Sequence, residues 1–143
     1  MITSICLNPC FDKTVNVESL QTGQVNRIRD TRVDQGGKGI NVAVVAGRLG
    51  LDVQCIGIMG ENGASELTAM MDREGLRHQF MTVPGHVRTN MKVYSLDGQG
   101  VTELNEPGTP LTPEMIGSFT DLAIQTTKDS DMVVLTGSLP PGC

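Results

Sequence analysis

Short runs of almost wholly apolar residues recur along the chain, and longer segments with helical spacing separate them. The apolar runs at residues 2–7, 53–58 and 132–135 predict three strands that are buried on both faces. Strands of that kind occur in parallel sheets, whose two faces are covered by helices. The order of these elements predicts an α/β fold, a mostly parallel sheet flanked by helices.

Three helices are predicted between these strands, over 39–49, over 64–74 and from Pro113 onward. In the first helix the apolar residues at helical spacing are Val42, Val45, Ala46 and Leu49, and Ile40, Ala43 and Val44 make its other face apolar too. We therefore expect the first helix to be buried. The residues expected to face inward in the other two helices are Leu67, Met70 and Met71, and Met115, Ile116, Phe119, Leu122 and Ala123.

A different pattern occurs at 13–18, 28–33 and 88–104, where polar and apolar residues alternate and residues 97–100 form a hairpin signal. We expect a small antiparallel β lid made of residues 13–33 and 87–105. A one-sided sheet must cover its apolar face, so the lid should fold over a ligand cleft or pack on a second subunit. The apolar residues of that face are Val15, Val17, Ile28, Val33, Met91 and Val93.

Length and composition narrow the class of protein. The 143 residues suit one domain. A net charge of −5, one Tyr and no Trp argue against nucleic-acid binding, and no apolar run is long enough to span a membrane. The first seven residues have no basic start, so we expect a strand rather than a secretory signal, and a cytoplasmic protein. The four cysteines and two histidines have no zinc-ligand spacing, and reduced, mostly buried thiols are expected.

A glycine cluster, Gly36-Gly37-Lys38-Gly39, leads directly into the first helix. Such a loop lets backbone N–H groups approach a ligand, the helix N-terminus favours negative charge, and Lys38 adds a cation suited to phosphate. It has neither the P-loop spacing nor the dinucleotide fingerprint. The cluster is therefore either an anion-binding loop or a plain strand-to-helix turn.

Other polar residues lie where strands are expected to end. Asp12 follows the first strand and can accept bonds from sugar hydroxyls or cap the turn after Pro9. Ser138 follows the last strand and can bind a substrate or finish a turn. Arg88-Thr89-Asn90 opens a lid strand, where an exposed arginine is the simpler reading. The segment 57–63 is expected to be a strand-to-helix turn.

Five motifs occur in order over the whole chain, and together they resemble the ribokinase-like carbohydrate kinases of the phosphofructokinase-B branch. Five ordered motifs are far more specific than any one of them. They are Asn8-Pro9-x-x-Asp12, Gly36-Gly37-Lys38-Gly39-x-Asn41-x-Ala43, Gly57-x-x-Gly60-x-x-Gly63, Arg88-Thr89-Asn90 and Gly137-Ser138-Leu139-Pro140-Pro141-Gly142.

The resemblance implies MgATP-dependent phosphorylation of a phosphorylated ketohexose. Lys38 and the segment 102–108 look most like the 1-phosphofructokinases, which convert fructose 1-phosphate to fructose 1,6-bisphosphate. Tagatose-6-phosphate kinases are the next most similar group, and fructose 6-phosphate is a third candidate substrate. The resemblance assigns Asp12 and Asn41 to the sugar hydroxyls and Lys38 with Arg88 to the existing phosphate. The remaining candidates are Gly36, Gly37 and Ser138, which would line the same pocket, and Asn90 and Arg27.

The family's nucleotide half, with its Gly-Ala-Gly-Asp turn and aspartate base, has no counterpart in these 143 residues. The resemblance therefore implies the N-terminal part of one kinase domain, without a catalytic base or metal site of its own. ATP and Mg²⁺ would be held by the C-terminal half, and the lid would pair with that of a second subunit in a homodimer. The alternatives are a catalytically silent sugar-phosphate binding module and an unrelated α/β protein whose lid serves only dimerisation.

Overall fold

Eight strands and three helices make up the computed structural model, which describes all residues 1–143. The strands are β1 (Ile2–Cys6), β2 (Cys10–Val17), β3 (Ile28–Gly36), β4 (Val53–Asn62), β5 (Arg77–His86), β6 (Arg88–Ser95), β7 (Gly100–Asn105) and β8 (Met132–Leu135). The helices are α1 (Lys38–Arg48), α2 (Ala64–Arg73) and α3 (Pro113–Thr127).

The strands form two four-stranded sheets. The core sheet has the order β5-β4-β1-β8 and is parallel throughout. The lid sheet has the order β3-β2-β6-β7. The predicted fold class, a parallel sheet flanked by helices with a small β lid, is confirmed.

Helices cover both faces of the core sheet, as the apolar runs predict. Cys55 and Met59 of β4 point to one face, where they pack with α1 and α2. Ile56 and Ile58 point to the other face and pack with Phe119 of α3. This alternation explains why β4 is apolar at nearly every position, since each face of a strand buried on both sides needs its own apolar set. The predicted inward faces of α2 and α3 are confirmed.

The predicted inward face of α1 is partly wrong. Its buried side chains include Ile40, Ala43 and Val44, whereas Val45 and Leu49 are 56% and 73% exposed. The start of the helix is docked on β1, where the Ser4 hydroxyl donates to the Gly39 carbonyl at 2.8 Å. Both apolar faces of α1 have the same helical period, so the pattern alone does not decide between them. The contact with β1 and the packing around it bury the face that carries Ile40, Ala43 and Val44.

Two boundaries in this layer also differ from expectation. Residues 57–63 are not simply a turn, because β4 continues through Gly57 and Gly60 to Asn62 and only Gly63 separates it from α2. The strand β5 was not predicted at all. It lies at the edge of the core sheet, and its mixed polar and apolar residues lack the continuous apolar run of a central strand.

The lid sheet is mixed rather than antiparallel. Strand β2 pairs antiparallel with β3 but parallel with β6, and β6 pairs antiparallel with β7. The apolar face is also partly covered within the chain, because Val15, Val17 and Val93 are buried and Leu20 packs against them. Val33 and Leu104 on the same face remain exposed.

The strand β8 lies at the other edge of the core sheet and has only β1 as a neighbour. Its Met132, Val133 and Leu135 side chains are exposed, and so is Ile124 of α3 beside them. None of the three helices has the length and apolar character needed to cross a membrane.

Candidate functional site

A cleft of about 440 Å³ lies between the lid sheet and the carboxyl end of β1. Its walls come from the loop after β1, the start of α1, three lid strands and the loop after β8. Seven of the nine residues singled out in the sequence line it, namely Asp12, Gly37, Lys38, Asn41, Arg88, Asn90 and Ser138. Asp12 and Ser138, which are 126 positions apart in the chain, are therefore brought into one cleft.

The other two predicted residues are placed differently. Gly36 is buried behind the wall, paired with Cys10 across β2 and β3. A Cβ at Gly36 would lie 2.7 Å from Cys10 Sγ and 2.8 Å from Asp12 Cγ, so only glycine fits there. Arg27 is exposed in the loop before β3 and does not line the cleft of its own chain. The long excursion between β2 and β3 carries it away from the cleft.

The first turn of α1 forms one wall. Gly37 has φ +110° at the N-cap position, and a Cβ there would lie 2.7 Å from Cys6 Sγ. This tight turn places Lys38 and Asn41 in the cleft lining, where the positive end of the helix dipole adds to the lysine charge. The glycine cluster therefore belongs to a cleft and is more than a connection between β3 and α1.

Asp12 is the centre of a small polar network on the lid wall. Its Oδ1 lies 3.4 Å from Cys10 Sγ and 3.4 Å from Asn90 Nδ2, and Asn90 Nδ2 lies 3.3 Å from Cys10 Sγ. Burial raises the pKa of the Cys10 thiol to about 12, with the nearby Asp12 charge acting in the same direction. The thiol is therefore protonated at neutral pH and donates to the Asp12 carboxylate. Lys92 Nζ approaches the other oxygen, Oδ2, at 3.5 Å.

Arg88 connects three parts of the cleft wall and is only 9% exposed. Its Nε and Nη2 donate to the Asn8 carbonyl at 3.2 and 3.1 Å. Its Nη1 donates to Asn90 Oδ1 at 3.1 Å and to the Glu106 carbonyl at 3.0 Å, and Nη2 also donates to Ser138 Oγ at 3.1 Å. All five guanidinium N–H groups thus have protein acceptors.

Several lining residues were missed in the sequence, namely Cys6, Asn8, Cys10, Lys92, Glu103, Asn105 and Gly137. Asn8 is 6% exposed, and its amide donates to the Pro107 carbonyl and to Ser138 Oγ. Lys92 could have been found, because Arg88, Asn90 and Lys92 alternate along β6 and so share one face. Glu103 gave no local signal; it is placed in the cleft by its pairing with Lys92 across β6 and β7.

The cleft carries the opposite charge to the chain as a whole. Three cations, Lys38, Arg88 and Lys92, line it with two carboxylates, Asp12 and Glu103, whereas the chain has a net charge of −5. Cations together with hydroxyl acceptors suit an anionic polyol. The chain's His, Cys, Asp and Glu side chains form no group of three that could hold a metal ion.

The family of the chain follows from comparison with known proteins. A model of the pfkB family carbohydrate kinases matches residues 6–143. The chain belongs to the pfkB family of carbohydrate kinases. Membership confirms the resemblance drawn from the five motifs and places the cleft, with its Gly-Gly-Lys-Gly turn, in a family of sugar kinases.

Two relatives of this pfkB-family chain are bacterial 1-phosphofructokinases. The protein of Xanthomonas campestris is 34% identical over 139 residues, which are 97% of this chain and 44% of the relative. The protein of Escherichia coli is 33% identical over 141 residues, which are 99% of this chain and 45% of the relative. The chain thus spans less than half the length of the curated relatives it matches.

Solved structures show the same fold. A possible 1-phosphofructokinase from Thermotoga maritima has a TM-score of 0.89 and 28% identity, covering 100% of this chain and 46% of its own. Phosphofructokinase-2 from Escherichia coli in complex with fructose-6-phosphate has a TM-score of 0.89 and 22% identity, with the same coverage of 100% and 46%. The ribokinase-like fold expected from the motifs is confirmed, and the coverage fits about half of a family member.

Proposed function

We propose that this pfkB-family chain supplies the acceptor-sugar site and lid of a kinase that phosphorylates a phosphorylated ketohexose, with fructose 1-phosphate as the preferred substrate. The observation that carries the proposal is the cleft itself, which joins three cations to a carboxylate held by hydrogen bonds. A phosphosugar needs cations at one end and hydroxyl acceptors at the other. An unphosphorylated sugar would leave the Lys38 ammonium group without an anionic partner in the cleft.

In this proposal the Asp12 carboxylate accepts hydrogen bonds from the sugar hydroxyls, and the Asn41 amide both accepts from them and donates to them. Lys38 and Arg88 bind the existing phosphate, with Arg88 exchanging its Ser138 contact for a phosphate oxygen. Gly36 and Gly37 keep the wall thin enough for a ligand to approach the α1 N-terminus. Asn90 supports the site by holding both Asp12 and Arg88.

We place residues 1–143 in the N-terminal part of one kinase domain, with the lid at 13–33 and 87–105. ATP and Mg²⁺ would bind residues outside the chain, because the Gly-Ala-Gly-Asp turn of the family's nucleotide half does not occur among residues 1–143. The chain's residues contribute binding and orientation of the acceptor, which are large terms in phosphoryl transfer. As a kinase that uses ATP and phosphosugars, the whole protein would act in the cytoplasm.

We also propose that the lid pairs with the lid of a second subunit. Val33 and Leu104 are exposed on the face opposite the cleft, beside the buried Val15 and Val93. Light scattering on the full-length protein should then report a dimer, and a monomer at micromolar concentration would contradict the pairing.

Arg27 is exposed in the loop at this lid, and a dimer is the arrangement in which it could reach a cleft.

The test of the proposed function is an ADP-release assay with MgATP on the full-length protein that carries this chain, with fructose 1-phosphate, tagatose 6-phosphate and fructose 6-phosphate compared as acceptors. We expect turnover with the highest kcat/KM for fructose 1-phosphate. The chain expressed alone should not transfer phosphate, because it supplies acceptor groups without an anion hole or a base. Comparable turnover by both proteins would show that the catalytic groups lie within residues 1–143.

A second outcome of the same test distinguishes the alternative function. Tight binding of a phosphosugar without ATP turnover in the full-length protein would identify a silent sugar-phosphate binding module. If the full-length protein neither bound nor phosphorylated any of the three phosphosugars, both the kinase and the binding-module functions would be contradicted. The lid would then serve only in subunit association.

A further inference from the structure

Lys92 differs from Arg88 in that its donors are little engaged by the protein. Arg88 already donates all five of its N–H groups to protein acceptors and is nearly buried. Lys92 has one charged partner, Asp12, at 3.5 Å, which is longer than a charge-assisted hydrogen bond. Its side chain is 33% exposed on the cleft side of the lid sheet.

The charge of a sugar phosphate makes this difference important. A phosphate monoester carries about −1.5 to −2 at pH 7. Lys38 is the only other lysine lining the cleft, and Glu103 lies in the same lining. The N–H groups of Arg88 already donate to the protein, so Lys38 and Arg88 together would leave much of the phosphate charge unneutralised. A second flexible ammonium group, that of Lys92, would neutralise more of it.

The position of Lys92 supplies a way to recruit it. Lys92 lies two residues beyond Asn90 on β6, and both face the cleft beside Asp12 of the neighbouring β2. A sugar hydroxyl that donates to Asp12 Oδ2 would compete with the ammonium group for that oxygen. The displaced Lys92, on its flexible four-carbon stem, can then turn toward an anion in the same cleft.

We propose that Lys92 is a phosphate-binding, specificity-determining residue, which Asp12 restrains until a sugar hydroxyl takes its place on the carboxylate. The inference rests on the proposed function and deepens it. Recognition of the hydroxyl and recognition of the phosphate become coupled through one ion pair. A ligand that has both groups would be favoured over one that has either alone.

The variants that test this are Lys92→Met, Lys92→Arg and a control, Lys13→Met. Lys13 lies on β2 next to Asp12, faces the opposite side of the lid sheet and does not line the cleft. The full-length protein is titrated calorimetrically with fructose 1-phosphate and separately with inorganic phosphate. Lys92→Met should weaken fructose 1-phosphate about tenfold or more, as expected for loss of one charged hydrogen bond. It should weaken inorganic phosphate less, because without a sugar hydroxyl Asp12 still restrains Lys92 in the wild type. Lys92→Arg should retain most of the affinity, and Lys13→Met should match the wild type.

A double-mutant cycle with Asp12→Asn tests the restraint itself. Asp12→Asn frees Lys92, so it should tighten inorganic phosphate while weakening fructose 1-phosphate, which loses its hydroxyl acceptor. The gain for inorganic phosphate should disappear in the Asp12→Asn, Lys92→Met double variant. An equal gain in both backgrounds would overturn the inference, because removal of a negative charge alone would then explain it.

The remaining outcomes separate the inference from the proposed function. Unchanged binding of both ligands in Lys92→Met would overturn the role of Lys92 while leaving a phosphosugar kinase intact. Binding of inorganic phosphate that depends on Lys92, without binding of fructose 1-phosphate, would support the role of Lys92 and contradict the proposed substrate.

Discussion

Replacement of Arg88 tests whether the cleft walls are held together as the structure shows. Arg88 links the loop after β1, the end of β7 and the loop after β8 through four hydrogen bonds, and it donates a fifth to Asn90 of its own strand. The two bonds to the Asn8 carbonyl are buried, and the other three are partly accessible to water. In Arg88→Met, water can replace the arginine at the three accessible acceptors but not readily at the buried carbonyl.

The size of the effect follows from that difference. A hydrogen bond from a charged donor contributes about 1.5–3 kcal/mol, so the two buried bonds together contribute about 3–6 kcal/mol. Removal of a buried charge relieves part of its desolvation cost. We therefore expect Arg88→Met to lower the free energy of unfolding by about 2–3 kcal/mol. With a urea m-value of about 2 kcal/mol per molar, the unfolding midpoint should fall by about 1–1.5 M.

Arg48→Met is the matched control. Arg48 also makes two hydrogen bonds, at 3.0 and 2.6 Å to Glu74 Oε2, but its side chain is 66% exposed. Such a surface pair contributes about 0–1 kcal/mol. Arg88→Lys, which keeps the charge but has three donors, should fall between the two. Equal urea midpoints for Arg88→Met and Arg48→Met would refute the reasoning that burial makes the Arg88 bonds important.

Three further predictions follow from the site and the core. Lys38→Met should raise KM for the phosphosugar about tenfold to a hundredfold with little change in kcat in steady-state assays, because the phosphate is bound alike in ground and transition states; an unchanged KM would contradict its role. Gly36→Ala should weaken phosphosugar binding in calorimetry, because its Cβ would displace Cys10 and Asp12; unchanged affinity would show that the wall can yield. Iodoacetamide at pH 8 should alkylate one thiol, Cys143, in the folded chain, since the other three are buried; a second adduct in the mass spectrum would contradict this.

The buried thiols also predict how stability depends on pH. Burial raises the pKa of the Cys10 thiol to about 12 and that of Cys6 and Cys55 above the ordinary 9.0. Above about pH 9 the unfolded chain loses these protons while the folded chain keeps them, so the unfolded state binds fewer protons and stability falls as pH rises. Each thiol contributes a slope of up to about 1.4 kcal/mol per pH unit there. Urea midpoints that stay constant from pH 8 to pH 10 would contradict the burial of the thiols.

Much of this protein is determined by local features of its sequence. Continuous apolar runs identify β1 and β4, because central parallel strands need apolar residues on both faces. A third run identifies β8, although β8 lies at the edge of the sheet and most of its side chains are exposed. The Gly36-Gly37-Lys38 turn and Asp12 are recognisable as candidate site residues, with a plain turn and a turn cap as the alternatives that the sequence leaves open. The ordered motifs identify the family, which a model match over residues 6–143 confirms.

The tertiary structure decided which of several locally equivalent choices is realised. The two apolar faces of α1 have the same period, and only docking on β1 buries Ile40 and exposes Leu49. Parallel pairing of β2 with β6 depends on a partner about eighty residues away, and that register places Lys92 beside Asp12. Arg88 and Arg27 are the same residue type in lid segments, yet Arg88 is buried and donates five hydrogen bonds, whereas Arg27 is exposed. Charge and periodicity are local properties of the sequence. The hydrogen-bond and packing partners of a side chain are instead set by strand register and by packing between segments that are distant in the chain.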